Sequence, residues 1–200
     1  MGTYLSEEQY QRLGHVLEQN EQNYMAARVI RFLTLTGCRL GEVLDLEWRD
    51  VRANHLALRD SKTGAKTLPI GAGAVQYLAL QKSLLLGDDP ARPDPCHNPN
   101  AVFPLPKLKT LRGHVRTRWT YLKREASLPD KVRLHDLRHS FASFGLTHGK
   151  SLHQIQKLLG HKDIETTERY AHLNDDALSA AAEKVGGWIM AAVETVSFSK

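Results

Sequence analysis

Cysteine is scarce: Cys38 and Cys96 are the only two in 200 residues. Cys38 sits in a stretch patterned as a regular element and Cys96 in a proline-rich one. They read as two free thiols of a reducing cytoplasm rather than as a disulfide framework. No apolar run approaches the roughly 20 residues that a bilayer-spanning helix needs. The N-terminus has neither the basic start nor the apolar stretch of a secretory signal. Ten histidines are present, yet none combines zinc-finger or HExxH spacing with further ligands, and Cys96-His97 stands alone. No metal, and no other cofactor, is expected. Internal repeats and low-complexity tracts are missing too. What remains is an ordinary globular domain with no membrane partner.

The charge that is present is mildly basic, +5 over the chain, which weakly favours a polyanionic partner. Its distribution says more, because Lys107, Lys109, Arg112, Arg116, Arg118, Lys123 and Arg124 crowd one stretch. Such a stretch either neutralises phosphates or forms a solvated helix face.

The periodicity is mostly helical. Ser6 followed by Gln9 makes a capping box for a helix to about Gln19. A second helix from about Glu21 stops at Gly37, a natural C-cap, and a third runs from about Arg39 to Leu46. Leu56 and Leu58 then alternate with polar neighbours, Lys62-Thr63-Gly64-Ala65-Lys66 makes a turn, and Thr67-Leu68-Pro69-Ile70 returns. That is a small β-hairpin with Pro69 on an edge strand. A helix over 72–85 precedes residues 87–106, which hold six of the eight prolines and read as an irregular loop. Further helices are expected over 110–126, 135–148, 151–159, 163–171 and 175–194. The fold class is mainly α with one small antiparallel β-hairpin.

Four separated segments hold polar residues that packing does not ask for. They are Thr36-Gly37-Cys38-Arg39-Leu40-Gly41-Glu42, Ser61-Lys62-Thr63-Gly64, Leu134-His135-Asp136-Leu137-Arg138-His139, and Leu158-Leu159-Gly160-His161 with Thr166-Thr167-Glu168-Arg169-Tyr170. In this the chain resembles the tyrosine recombinase (phage integrase) family. That family is marked by an Arg after Thr-Gly, a hairpin Lys, His-x-x-Arg, Leu-Gly-His and a Tyr nine residues beyond that His. Arg39, Lys62, His135, Arg138, His161 and Tyr170 stand in these places and this order, and the resemblance spans about residues 5–190. It implies the catalytic-domain fold of DNA breaking-rejoining enzymes. It also implies an activity on double-stranded DNA with Tyr170 as nucleophile, and a homotetramer on synapsed DNA. The setting would be the bacterial nucleoid, for an enzyme of a prophage or mobile element.

The residue types also suit that chemistry on their own. Attack on a phosphodiester builds negative charge on the non-bridging oxygens, and guanidinium groups meet such oxygens two at a time while staying charged. Arg39 and Arg138 would supply that clamp, with His135 and His161 as further donors and no metal needed. His135 would accept the phenol proton of Tyr170, and Lys62 would protonate the departing 5′-oxygen. Glu42, one turn after Arg39, would orient that arginine or the hairpin lysine, and His139 would buttress the site. Lys66, Lys109, Arg112 and Arg116 are candidate DNA contacts.

Structural alternatives stand beside each. Arg39 could neutralise carbonyls at a helix end. Lys62 could be an ordinary turn lysine, with Lys66 four residues away. His135 could cap a helix, and His139 could be a buried structural residue. Tyr170 could be core, as Tyr10, Tyr24, Tyr77 and Tyr121 are taken to be, and Trp48, Trp119 and Trp188 read as core or groove residues.

The domain expectation is a single catalytic domain over 1–200 that lacks the N-terminal DNA-clamping domain of most relatives, and so cleaves without efficient strand exchange. Residues 174–200 form an apolar-rich tail that packs either on its own core or on a neighbouring protomer. A topoisomerase of the same chemistry and a non-catalytic DNA-binding module are the rival functions.

Overall fold

The computed structural model describes residues 4–59, 64–87, 98–106, 111–148, 150–160 and 175–194. Helix α1 (Glu7–Glu21) starts as its sequence asks: Ser6 and Gln9 exchange side-chain and backbone hydrogen bonds. Tyr10, Leu13, Val16 and Leu17, three or four apart, turn one stripe inward. Helix α2 (Met25–Thr36) begins later than expected, after a break that leaves Tyr24 as its N-cap. All twelve of its residues are buried, so it is the axis of the domain, with α1 packed against it.

A buried axis must satisfy its own charges. Arg28 donates to the Glu21 carbonyl at 2.7 Å and to Gln81 at 3.2 Å. Arg31 pairs with the Glu21 carboxylate and donates to the Gly14 carbonyl at 3.2 Å. The axis ends at Gly37, whose φ of 65° is the left-handed cap conformation. A side chain there would also meet Leu159 and Phe141 at 2.8 Å.

A short helix α3 (Leu40–Leu44) follows, then the hairpin β1 (His55–Leu58) and β2 (Lys66–Pro69). The strands pair antiparallel with His55 opposite Pro69 and Leu58 opposite Lys66, so Leu56, Leu58 and Leu68 face the core. Lys66, expected in the turn, is the first residue of the returning strand. Helix α4 (Ala72–Leu86) comes next. The described end of the proline-rich stretch is more ordered than expected. Ala101 bridges Glu47, and Val102, Phe103 and Leu105 enter the core.

Helices α5 (Leu111–Glu125), α6 (Asp136–Thr147), α7 (Leu152–Leu159) and α8 (Asp175–Glu194) complete the described chain. Ser151 and Gln154 form a second capping box at α7, and Gly160 ends it at φ 63°. Helices α4, α5, α6 and α8 all contact α2. The tail helix docks on its own molecule, since Ala182, Val185, Ile189, Ala192 and Val193 are buried in the common core. The expected helix over 163–171 and the hairpin turn at 60–63 lie outside the described residues.

Two tyrosines depart from the expected core role. Tyr10 and Tyr77 are buried, but Tyr24 and Tyr121 are exposed and flank the Arg118 guanidinium, which lies 3.4 Å from the Tyr24 ring centroid. Trp119 is core, with its indole N–H donated to the Val132 carbonyl at 3.3 Å.

The α1–α8 contact is tight enough to test. A Cβ on Gly14 would lie 2.3 Å from the Val193 carbonyl oxygen. Alanine favours a helix over glycine by about 1 kcal/mol, while forced overpacking costs about 1–3 kcal/mol. Gly14→Ala should therefore lower the melting temperature. A rise would show that α8 does not pack on α1 in solution.

Candidate active site

The glycine cap of α2 sends the chain straight into α3, and Arg39 is the residue at that corner. Glu42 fixes it from within the first turn of α3. Its carboxylate accepts the Arg39 backbone N–H at 2.9 Å and the guanidinium at 3.0 Å. The same carboxylate receives Lys66, whose ammonium is 2.6 Å from Glu42 Oε1 with the lysine side chain only 10% exposed. Glu42 thus contacts both the arginine and a hairpin lysine. That lysine is Lys66, whose ammonium is held inside by Glu42 rather than presented on the open surface.

The pKa shifts record this crowding. Burial raises the Glu42 carboxyl, but Lys66 and the two Arg39 donors outweigh it, and the net displacement is below the ordinary value. Burial also drives the Lys66 ammonium down, assisted by the charges of Arg39 and Arg138; Glu42 opposes this without cancelling it. The pair leaves its lysine easier to deprotonate chiefly because the ammonium is buried, with the neighbouring arginines adding to the effect.

Arg138 is the second guanidinium. It lies in the first turn of α6, is 4% exposed, and donates to two main-chain carbonyls, Gly37 and Leu159, each at 2.7 Å. It therefore joins the end of α2 to the end of α7. Burial, then the charge of Arg39, lowers its pKa to about 10. It is still cationic at neutral pH.

His135 is the residue before α6. Asp136 secures that turn by accepting the Arg133 backbone N–H at 2.8 Å and the Arg133 guanidinium at 2.9 Å. Partial burial, His139 and Arg138 together hold the His135 imidazole below its ordinary 6.5, so it is neutral at pH 7. The His139 ring meets it edge-on at 5.2 Å. His139 is exposed rather than buried, and its ring lies beside that of His135.

Arg39 lines one open pocket of about 230 Å³ together with His135 and Arg138, which follow it by about a hundred residues in sequence. Arg112 and Arg116 reach its edge from α5. Gly160, the last residue before the His161 segment, packs on the Lys66 stem, with a virtual Cβ 3.0 Å from Lys66 Cδ. Lys62, Lys109, His161 and Tyr170 lie outside the described residues. Lys66 as the ion-pair partner and Asp136 as the cap of the histidine turn are the structural additions. The three-residue spacing of Arg133 and Asp136 is the signal that points to the second of these.

Glu42→Gln should destabilise by about 3 kcal/mol, the usual cost of leaving a buried partner charge unpaired. The sign follows from the lowered carboxyl: its contribution is present above the ordinary Glu value of 4.5 and is lost as pH falls through the lower folded value. Denaturant melts of both proteins should differ at pH 7 and converge in acid. An equal gap at all pH values would refute the ion-pair account.

A family model described as the phage integrase family matches residues 3–177. Tyrosine recombinase XerC of Pseudomonas aeruginosa is 34% identical over 172 residues, covering 82% of this chain and 54% of that protein. XerC of Vibrio vulnificus is 31% identical over 170 residues, covering 81% and 51%. The chain thus spans about half the length of the curated relatives it matches. The crystal structure of XerA recombinase superposes with a TM-score of 0.65 at 29% identity, over 90% of this chain and 64% of that one. The lambda integrase catalytic core shares the fold, with a TM-score of 0.58 at 22% identity over 80% of this chain and 96% of that one. The chain belongs to the phage integrase family.

Proposed function

We propose that this chain is the catalytic domain of a site-specific tyrosine recombinase that cleaves and rejoins double-stranded DNA. One observation carries the reading: two anchored guanidinium groups, Arg39 and Arg138, share an open pocket with a neutral imidazole, His135. Behind that pocket, three cations, Arg39, Lys66 and Arg138, are grouped around one carboxylate, Glu42, among the described residues. Such a site keeps an excess of positive charge, which suits a phosphodiester and the further negative charge that builds on it during attack.

In the proposed reaction the scissile phosphate sits between Arg39 and Arg138, with His161 as a further donor. The Tyr170 phenol oxygen attacks phosphorus, forming the tyrosyl–phosphate bond as the bond to the 5′-oxygen breaks. His135 takes the phenol proton, and Lys62 gives a proton to the departing 5′-oxygen. The product is a 3′-phosphotyrosyl ester and a free 5′-hydroxyl. A 5′-hydroxyl from another strand reverses the step, so the ester conserves the bond energy and no ATP is consumed. The arginines supply the charge that a metal would otherwise bring. In the complete recombinase, four protomers would act on synapsed DNA in the bacterial cytoplasm.

The test is a pool of nicked duplexes with a randomised core, incubated in chelator and run on a denaturing gel. The wild-type protein should form a covalent adduct and Tyr170→Phe none. No adduct from wild type would overturn the reading. Arg138→Ala should slow adduct formation roughly 100-fold, as loss of a transition-state donor does.

The pH profile gives a second check. A base held below 6.5 stays unprotonated at neutral pH. The apparent second-order rate should therefore hold steady down to about pH 6.5 and fall below it, as His135 gains a proton. His135→Gln should lower the rate and remove that acid limb. An unchanged limb would exclude His135 as the proton acceptor.

A further inference from the structure

The active pocket does not stop at the residues already assigned chemistry. Arg112 and Arg116 stand four apart on α5, one helical turn of about 5.4 Å, and both border it. Both are exposed, and neither side chain has a hydrogen bond or ion pair among the described residues.

Arg112 nevertheless lies against the backbone of α3. A Cβ added to Gly41 would lie 2.6 Å from its Nη2, 3.4 Å from Cζ and 4.0 Å from Nη1. The guanidinium lies across the Gly41 backbone, where α3 has no side chain. Gly41 is two residues beyond Arg39 and next to Glu42, yet the Glu42 carboxylate goes to Arg39 and Lys66 and not to Arg112. Like charges brought together repel, and nothing within the described chain offsets this for Arg112. A chain of regularly spaced anions would.

We propose that Arg112, seated over Gly41, is a second phosphate ligand of the active pocket, holding a DNA phosphate beside the one clamped by Arg39 and Arg138. This rests on the DNA-joining function above. Gly41 has a matching role: it is the clearance that lets the guanidinium reach the pocket.

The probe is a fluorescein-labelled duplex of random sequence, titrated at several salt concentrations. Arg112→Ala should weaken binding roughly tenfold and reduce the salt slope by about 1, the signature of one lost phosphate contact. Arg39→Gln should reduce the slope by a similar amount, and the two changes together by about 2. Gly41→Ala removes no charge, yet it should weaken binding as Arg112→Ala does, and the Gly41→Ala/Arg112→Ala pair should be no weaker than Arg112→Ala alone.

Wild-type affinity in Arg112→Ala, or a combined Arg39–Arg112 slope change of only about 1, would overturn the proposal, as would additive losses in the Gly41–Arg112 pair. Arg112→Ala is a surface change, so it decides the matter even if Gly41→Ala perturbs folding. A wild-type protein that ignores the duplex would overturn the DNA-joining reading as well. Wild-type binding with unaltered variants would overturn this inference alone.

Discussion

The Arg138 guanidinium holds the pocket together by bonding to two carbonyls that belong to the backbone rather than to acidic side chains. Gly37 ends α2 and Leu159 ends α7, and each helix leaves its last carbonyls without an internal partner. Arg138 satisfies one from each while remaining fully charged. A carboxylate partner would have cancelled that charge. Carbonyl dipoles hold the guanidinium rigidly and leave its net charge available, which is the preorganisation that transition-state stabilisation needs.

That choice has consequences across the pocket. With Arg39, Lys66 and Arg138 close together, Glu42 is the carboxylate through which the chain limits the repulsion. It does so from a buried position, tying the hairpin to the α2–α3 corner. The lowered values at Lys66 and Arg138 and the neutral imidazole of His135 share one origin, burial among cations. A site in this state suits an anion, and its histidine is kept neutral first by burial and then by the neighbouring His139 and Arg138. Burying that much charge is costly, and the all-buried α2 with its own satisfied arginines provides the rigid support.

Much of this is legible in the amino-acid order. The capping boxes at Ser6 and Ser151, the glycine caps at Gly37 and Gly160 and the hairpin follow from local chemistry, because each depends on residues close together in the chain. The Arg39–Glu42 pair is legible for the same reason. Less legible are features set by distant partners. Helix α2 starts only at Met25 because residues 22–24 turn the chain beneath Arg28. Tyr24 and Tyr121 stay out of the core because Arg118 offers their faces a cation at the surface. Val102, Phe103 and Leu105 enter the core from a stretch whose prolines suggest only a loop, since Leu46 and Glu47 offer backbone pairing.

The order of Arg39, the hairpin lysine, His135, Arg138, His161 and Tyr170 is a property of the chain alone, and with it come the family and the class of chemistry. Those residue types suit the phosphoryl transfer proposed above, and their order is the mark of the family. Which atoms hold them is a tertiary matter. Arg138 meets Gly37 across 101 residues and Leu159 across 21, and Arg112 comes to rest on Gly41 from another helix. Lys66 is a turn residue by local pattern and becomes the buried partner of Glu42 only once α7 and its Gly160 turn cover it. Such placements depend on which surfaces the core brings together, and no local spacing encodes that.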